Sequence, residues 1–211
     1  MNKPIIYTVG HSTHQLNFFL ELLKIVEINC IVDIRSVPAS THNPQYNQDT
    51  FKNFLNNNNV VYLHFAKEFG ARQTDCNLLD NEGKLDFAKF RKTEPFNQGI
   101  ERIRQGISKG FRIALMCSES EPLDCHRFSM VSIGLENGGF EVKHILKDKS
   151  IKTNLELEKE LLKKYEKKIS QNNLFDMEIS IGIQLNEALI LKNKEIGFSP
   201  HSIRGEQEEY D

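Results

Sequence analysis

Between Met116 and Arg127 the chain gathers two thiols, Cys117 and Cys125, and the carboxylates Glu119, Glu121 and Asp124. The imidazole of His126 and the guanidinium of Arg127 follow at once. Core packing asks for none of these groups. A thiolate is a nucleophile and a soft metal ligand. An imidazole moves protons near neutral pH, and an arginine grips phosphate or carboxylate with a planar fork. Two smaller clusters carry the same kinds of group: Gly10-His11-Ser12 and Asp33-Ile34-Arg35-Ser36. The candidate catalytic groups are therefore His11, Asp33, Cys117 and Glu119. Ser12, Arg35, Ser36, His126 and Arg127 are the candidate ligand-binding groups.

Several chemistries compete for these residues. A helix N-terminus and nearby cations lower a cysteine pKa, so a thiolate nucleophile is one. The cysteine-phosphatase spacing, cysteine then arginine six positions on, fails for both Cys117 and Cys125. Metal binding by Cys117, Cys125 and His126, completed by Glu119 or His11, is another, although the cysteines lie farther apart than in structural zinc knuckles. A reversible Cys117–Cys125 disulfide is a third. A general acid–base pair of His11 with Asp33 or Glu119 is a fourth.

These groups need elements to position them. Ile5 to Val9 is a β-branched run that predicts a strand. Ser12 and Gln15 have capping-box spacing, which predicts a helix from that point. Leu16, Phe19, Leu20 and Leu23 then mark one buried helical face. Cys30 to Ile34 predicts a second strand, Asp49 to Leu55 a short helix and Val60 to His64 a third strand. Phe65 to Thr93 reads as a long charged excursion. Pro95 to Lys109 predicts a helix closed by Gly110, followed by a strand over Phe111 to Met116. A helix over Arg127 to Asn137, the pair Gly138-Gly139 and a strand over Phe140 to Ile145 complete the pattern. Strands alternating with helices imply an α/β fold: a mostly parallel sheet flanked by helices.

Thr153 and Glu156 form a second capping box. They open a Lys/Glu-rich helix to about Ile169, with Leu157, Leu161 and Tyr165 as its apolar stripe. Its charge suggests a peripheral or projecting helix. The residues after Ser170 look less regular, and His201 to Asp211 reads as a polar, mobile end. The expected organisation is an α/β domain over 1–150 and a charged helical extension with a tail over 151–211.

In an open parallel sheet ligands bind beyond the carboxyl ends of the strands. If the strands ending at Gly10, Asp33 and Met116 are neighbours, their three polar loops open on one edge. Two helix N-termini would face that edge and favour an anion there. The expected ligand is anionic, with phosphate the simplest candidate.

Composition narrows the partners. The 27 lysines and arginines oppose 29 acids, a net charge of -2, so no global basic field would hold nucleic acid. The 4 cysteines fit no small disulfide framework at 211 residues. No apolar run approaches the about 20 residues that span a bilayer. The first residues lack a signal-peptide layout, which makes a cytoplasmic protein with reduced thiols the expectation. There is no cofactor motif, and a divalent metal is the one cofactor class left open.

From Ile5 to Leu146 the chain resembles the bacterial and archaeal family 488 of domains of unknown function. The resemblance rests on Thr8-Val9-Gly10-His11-Ser12, on Asp33-Ile34-Arg35-Ser36-Val37-Pro38, on Leu115 to Glu119 with Pro122 and Cys125-His126-Arg127, and on Glu141-Val142-Lys143-His144-Ile145. Phe69-Gly70-Ala71-Arg72 is similar to the family's Leu-Gly-Gly-Arg region and departs from it at two positions. The resemblance implies an α/β fold and no particular reaction. Separately, Gln171-Asn172-Asn173-Leu174-Phe175 resembles the short peptide by which bacterial DNA-processing proteins dock on the sliding clamp, with Gln171, Leu174 and Phe175 as its anchors.

Three classes of function follow. The first is an enzyme acting on a phosphorylated substrate, a nucleotide or nucleic acid among the candidates, in which His11, Arg35, Cys117 and Arg127 converge on one cleft. The second is a non-catalytic module that binds nucleic acid or the clamp. The third is a metal- or redox-responsive thiol protein. Polar groups at three strand ends favour the enzyme, although no motif fixes nucleophile, base and oxyanion donor together.

Overall fold

A computed structural model of the chain describes residues 3–171 and 180–200. Its elements are β1 (Ile5–Gly10), α1 (Leu16–Lys24), β2 (Cys30–Asp33), α2 (Gln48–Asn57) and β3 (Val61–His64). Then come α3 (Ala66–Phe69), α4 (Phe87–Phe90), α5 (Glu94–Ser108) and β4 (Ile113–Cys117). A π-helical turn, Arg127–Ser132, runs straight into α6 (Ile133–Asn137). The rest is β5 (Glu141–Ile145), β6 (Ile151–Thr153), α7 (Asn154–Tyr165) and α8 (Ile181–Ile196). The six strands form one sheet in the order β3-β2-β4-β1-β5-β6. All neighbours are parallel except β6, which runs antiparallel to β5.

Strand alternation sorts the core onto two faces. Tyr7, Val9, Ile31 and Met116 face α1 and α2, where Phe19, Leu23, Phe51 and Leu55 cover them. Ile6, Val32, Leu115 and Val142 face the other way, toward Phe69, Phe96, Ile100 and Leu135. β2 and β4 are buried along their whole length, as central strands covered on both faces must be. The chain leaves β1 toward α1 and leaves β4 toward α6. Adjacent strands whose exits part to opposite faces open a crevice beyond their carboxyl ends.

Thr93 caps α5 by accepting from the Phe96 N–H. Gly110 adopts the left-handed φ of 87° that lets the chain turn back into β4. The predicted Thr153–Glu156 capping box is present at α7.

Four readings change. The Ser12–Gln15 capping box does not form, because α1 begins at Leu16 with Gln15 as a cap lacking a side-chain bond. Ser12 is held at φ 46°, its N–H given to Ser118 O at 2.8 Å, so it belongs to the loop and not to the helix. β6, unrecognised in the sequence, zips three residues onto β5. α7 does not project: Leu157, Leu161 and Tyr165 are buried and pack with Phe128, Ile133 and Ala188. The stretch after Ser170 contains α8, a 16-residue helix capped by Ser180. The expected boundary after residue 150 lies at the turn that leads from β5 into Ile151, the first residue of β6. Among the described residues no helix is long and apolar enough to cross a membrane.

Candidate functional site

Strand register fixes the floor of the site. Gly10 of β1 pairs with Cys117 of β4, and Met116 of β4 pairs with Asp33 of β2. The three polar clusters therefore end level at one edge. Beyond β4 the loop folds back over β1. His11 N–H donates to Cys117 O at 2.9 Å, and Arg127 clamps the loop through its Nη1 to Glu119 O at 2.5 Å and Nη2 to Ser120 O at 2.6 Å. Gly10 lies beneath this clamp. A Cβ there would collide with the Glu119 carbonyl and would stand 2.5 Å from Arg127 Nη1, so only glycine fits.

Behind β2 the groups lock one another. Asp33 accepts from Arg35 Nε at 2.9 Å and Nη2 at 2.6 Å, and from the Tyr62 hydroxyl at 2.8 Å. Arg35 also gives Nη2 to Tyr46 O at 2.9 Å and Nη1 to His11 Nε2 at 3.2 Å. Four of its five N–H donors are thus used, which leaves one on Nη1. His11 is stacked on Tyr46 with ring centroids 4.1 Å apart. Its Nδ1 donates to Ser12 O at 2.7 Å, so Nε2 is the acceptor. Burial, reinforced by the Arg35 charge, lowers its pKa to about 4. The ring is neutral at physiological pH, with its lone pair committed to Arg35. Burial also raises Tyr62, and the Asp33 carboxylate adds to the effect.

In front of Arg35 lies the sulfur–imidazole cluster. His126 Nδ1 stands 3.6 Å from Cys117 Sγ and 3.7 Å from Cys125 Sγ. Cys117 Sγ is 3.0 Å from Glu119 Oε2, and the Arg127 N–H donates to Cys125 Sγ at 3.3 Å. Burial opposes ionisation of Cys117. Hydrogen bonding from Cys125 and the charge of His126 outweigh it and bring its pKa down. Cys125 goes the other way, raised by burial and by the neighbouring Cys117 sulfur. For His126 burial works against the proton, and the Cys117 sulfur more than restores it.

Arg35, Ser36, Arg72, Cys117, Glu119, Cys125 and His126 line one cleft of about 270 Å³. Ile196, the last residue of α8, and Phe198 just beyond it close its far wall, and the Arg72 guanidinium stands 5.8 Å from the Phe198 ring. Lys192 pins this wall to the loop through Asp124 Oδ1 at 3.2 Å. A smaller groove of about 120 Å³ between α4 and α8 has neither sulfur nor imidazole in its lining.

Of the predicted constellation, Arg35 and Cys117 meet at the cleft, joined by Ser36, Glu119 and His126. His11, Ser12 and Asp33 stand behind Arg35 on the α1–α2 side, and Arg127 lies beneath the loop with no exposed surface. The expected four-residue convergence is therefore split: two residues face the cleft and two support it. The sequence reading missed Tyr46 and Tyr62, which carried no motif, and Phe198. It noted Arg72 without a role. The clamp-peptide anchors Leu174 and Phe175 lie outside the described residues. Gln171 gives its Nε2 to Glu166 O at 2.6 Å.

A family model described as Domain of unknown function DUF488 matches residues 15–132. The matched span takes in Asp33 to Arg35 and the whole Cys117–Arg127 loop, and leaves out Gly10–Ser12 and β5. None of the curated proteins and none of the solved structures compared with the chain matches it.

Proposed function

The chain belongs to the family of domains of unknown function DUF488, and we propose that it is an enzyme that holds a phosphate-bearing substrate against Arg35 and works on it with the Cys117–Cys125–His126 cluster. The observation that carries this reading is the shared cleft. An arginine locked by a buried carboxylate, with one N–H to spare, opens on the same space as two thiols and an imidazole. A guanidinium this well braced is pre-organised for an oxyanion, which lowers the ordering cost of binding. Arg72 at the mouth adds a second, exposed cation. Asp33, His11 and Tyr62 fix the rotamer of Arg35, and Arg127 fixes the loop; these are positioning residues.

Size limits the substrate. A cleft of about 270 Å³ falls at the lower end of small-molecule sites, which begin near ~300 Å³. A phosphate ester or mononucleotide fits this scale, and a duplex does not. The net charge of -2 agrees, since nothing outside the cleft concentrates polyanions.

Calorimetric titration with inorganic phosphate and nucleoside monophosphates tests the reading. The full chain binds at least one of them. Arg72→Gln weakens binding about tenfold, the worth of one exposed charge-assisted contact, and Arg35→Gln abolishes it. Cys117→Ser still binds but does not turn over substrate. Absence of binding by the native protein, or binding untouched by both arginine changes, overturns the proposal.

A further inference from the structure

The geometry points to a divalent cation of the zinc class held by Cys117 Sγ, Cys125 Sγ and His126 Nδ1, with its fourth position open to the cleft. The inference rests on the reading above for the role of the cleft and names what the cluster does there. The three donor atoms all lie within 4.8 Å of one another. Zinc–sulfur bonds of about 2.3 Å and zinc–nitrogen bonds of about 2.0–2.1 Å place sulfur and nitrogen about 3.6 Å apart on adjacent tetrahedral corners. The two sulfur–nitrogen separations here are 3.6 and 3.7 Å.

Hydrogen bonding alone explains this arrangement poorly. Nδ1 has one hydrogen or one lone pair, so it can serve one sulfur, yet it stands equally far from both. A cation between the three atoms satisfies all of them. The surroundings agree. The Arg127 N–H donates to Cys125 Sγ, the kind of outer contact that steadies a ligating thiolate. His126 turns Nδ1 toward both sulfurs, which is the nitrogen such a cation takes.

The fold supplies what the spacing lacks. Cys117 closes β4, which is paired on both sides, and Cys125 and His126 enter the π turn. The sheet and the clamped loop bring the ligands together, so no short knuckle is needed. Two thiolates cancel a divalent charge, which lets Arg35 and Arg127 lie nearby without repelling a net cation. Sulfur ligands select zinc-class ions over magnesium or calcium. Three protein ligands with an open fourth position, here on the cleft that all three line, are the pattern of a reactive zinc centre rather than a closed structural one.

The test uses the full chain purified reduced and without chelator. Elemental analysis yields one zinc per chain. Replacement by Co²⁺ gives the sulfur-to-cobalt absorption and intense visible bands of a tetrahedral thiolate site. Cys125→Ser and His126→Ala, each checked for native unfolding behaviour, weaken cobalt binding by more than the about 10–100-fold that an outer-shell loss costs. In the native protein exposed Cys76 reacts with a thiol reagent at once, whereas Cys117 and Cys125 react only after chelation. Sub-stoichiometric zinc with no cobalt–thiolate absorption overturns the inference, and so does a mass two hydrogens low, which marks a Cys117–Cys125 disulfide. Phosphate titration of the apo and cobalt-loaded forms separates the two claims. Phosphate binding without metal binding sinks this inference alone, and metal binding without phosphate binding sinks the anion reading alone.

Discussion

Arg35 Nη1 donates to His11 Nε2 across 3.2 Å and ties the carboxyl end of β2 to that of β1. The bond needs a neutral imidazole, so it carries a pH dependence. In the folded protein His11 titrates near about 4, because burial and the Arg35 charge disfavour its proton; the unfolded value is 6.5. His144, buried between Thr8 and Asn154, falls from 6.5 to about 3 through burial and the charge of Arg127. Between these limits the unfolded chain binds more protons at both positions, so the contribution of these two histidines to stability rises with pH up to 6.5 and is flat above it. From pH 7.5 to 5.0 each histidine removes about 2 kcal/mol. Glu136 and Glu158, whose pKa values burial raises, pull in the opposite direction. A comparison with His11→Gln isolates the effect: urea unfolding of that variant loses about 2 kcal/mol less over the same interval. Equal losses in variant and native protein would show that His11 is not held neutral.

Asp33 is the counter-ion of a guanidinium that is only 5% exposed. Asp33→Asn leaves a buried cation without a charge partner, a change that costs about 3–5 kcal/mol. Tyr62→Phe removes one hydrogen bond to the same carboxylate and costs about 1.5–3 kcal/mol. Urea unfolding should rank them in that order, and the Asp33 variant should also lose phosphate binding because Arg35 is no longer braced. A reversed ranking would mean that Tyr62 and not Arg35 is the main partner of Asp33.

Gly10→Ala sets a methyl against the Glu119 carbonyl and Arg127 Nη1. The carbonyl belongs to backbone and cannot swing aside like a side chain, so the loop must lift. Overpacking of this kind costs about 1–3 kcal/mol. The sharper readout is local: with both proteins treated with chelator, Cys117, 2% exposed in the native fold, should react with a thiol reagent faster in the variant. Unchanged reactivity would show that the loop tolerates a residue beneath it.

Much of the α/β frame could be read from the chain because its central strands are short apolar runs and its helices α1, α5 and α7 keep a clean stripe. The losses have physical causes. α8 carries exposed Ile181, Ile183 and Ile190, while its buried face includes Lys192, so its apolar pattern points the wrong way. β6 has three residues, too few for an alternation to register. The π turn over Arg127–Ser132 has no residue signature, and the sequence showed only a continuous helix. In the site, residue types were informative and roles were not. Asp33, Arg35 and His11 were visible as a cluster, but only the register shows that two of them face away from the cleft. Arg127 read as an anion clamp because it is an arginine at a helix start; in the fold it is buried and grips its own loop.

That grip makes the last prediction. Arg127 uses Nη1 and Nη2 on two carbonyl oxygens, while its buried Nε has no partner. A buried cation of this sort contributes geometry more than stability. Desolvation of the charge and the orphaned Nε offset what the two bonds give, and replacing a buried ionic group by an apolar one of similar volume is often neutral. Arg127→Met keeps the volume of the stem and discards the charge. Global unfolding should then change by less than about 2 kcal/mol, within the range of one or two hydrogen bonds. The amides of Ser118 to Glu121, Leu123 and Asp124 should exchange at least about tenfold faster, since local opening is governed by the bonds the loop itself has lost. The sheet amides of Leu115 and Val32 should keep their protection. Loss of protection throughout the sheet would instead make Arg127 a support of the whole core, and unchanged loop exchange would mean that the turn over Pro122–Asp124 and the Lys192–Asp124 contact hold the loop without it.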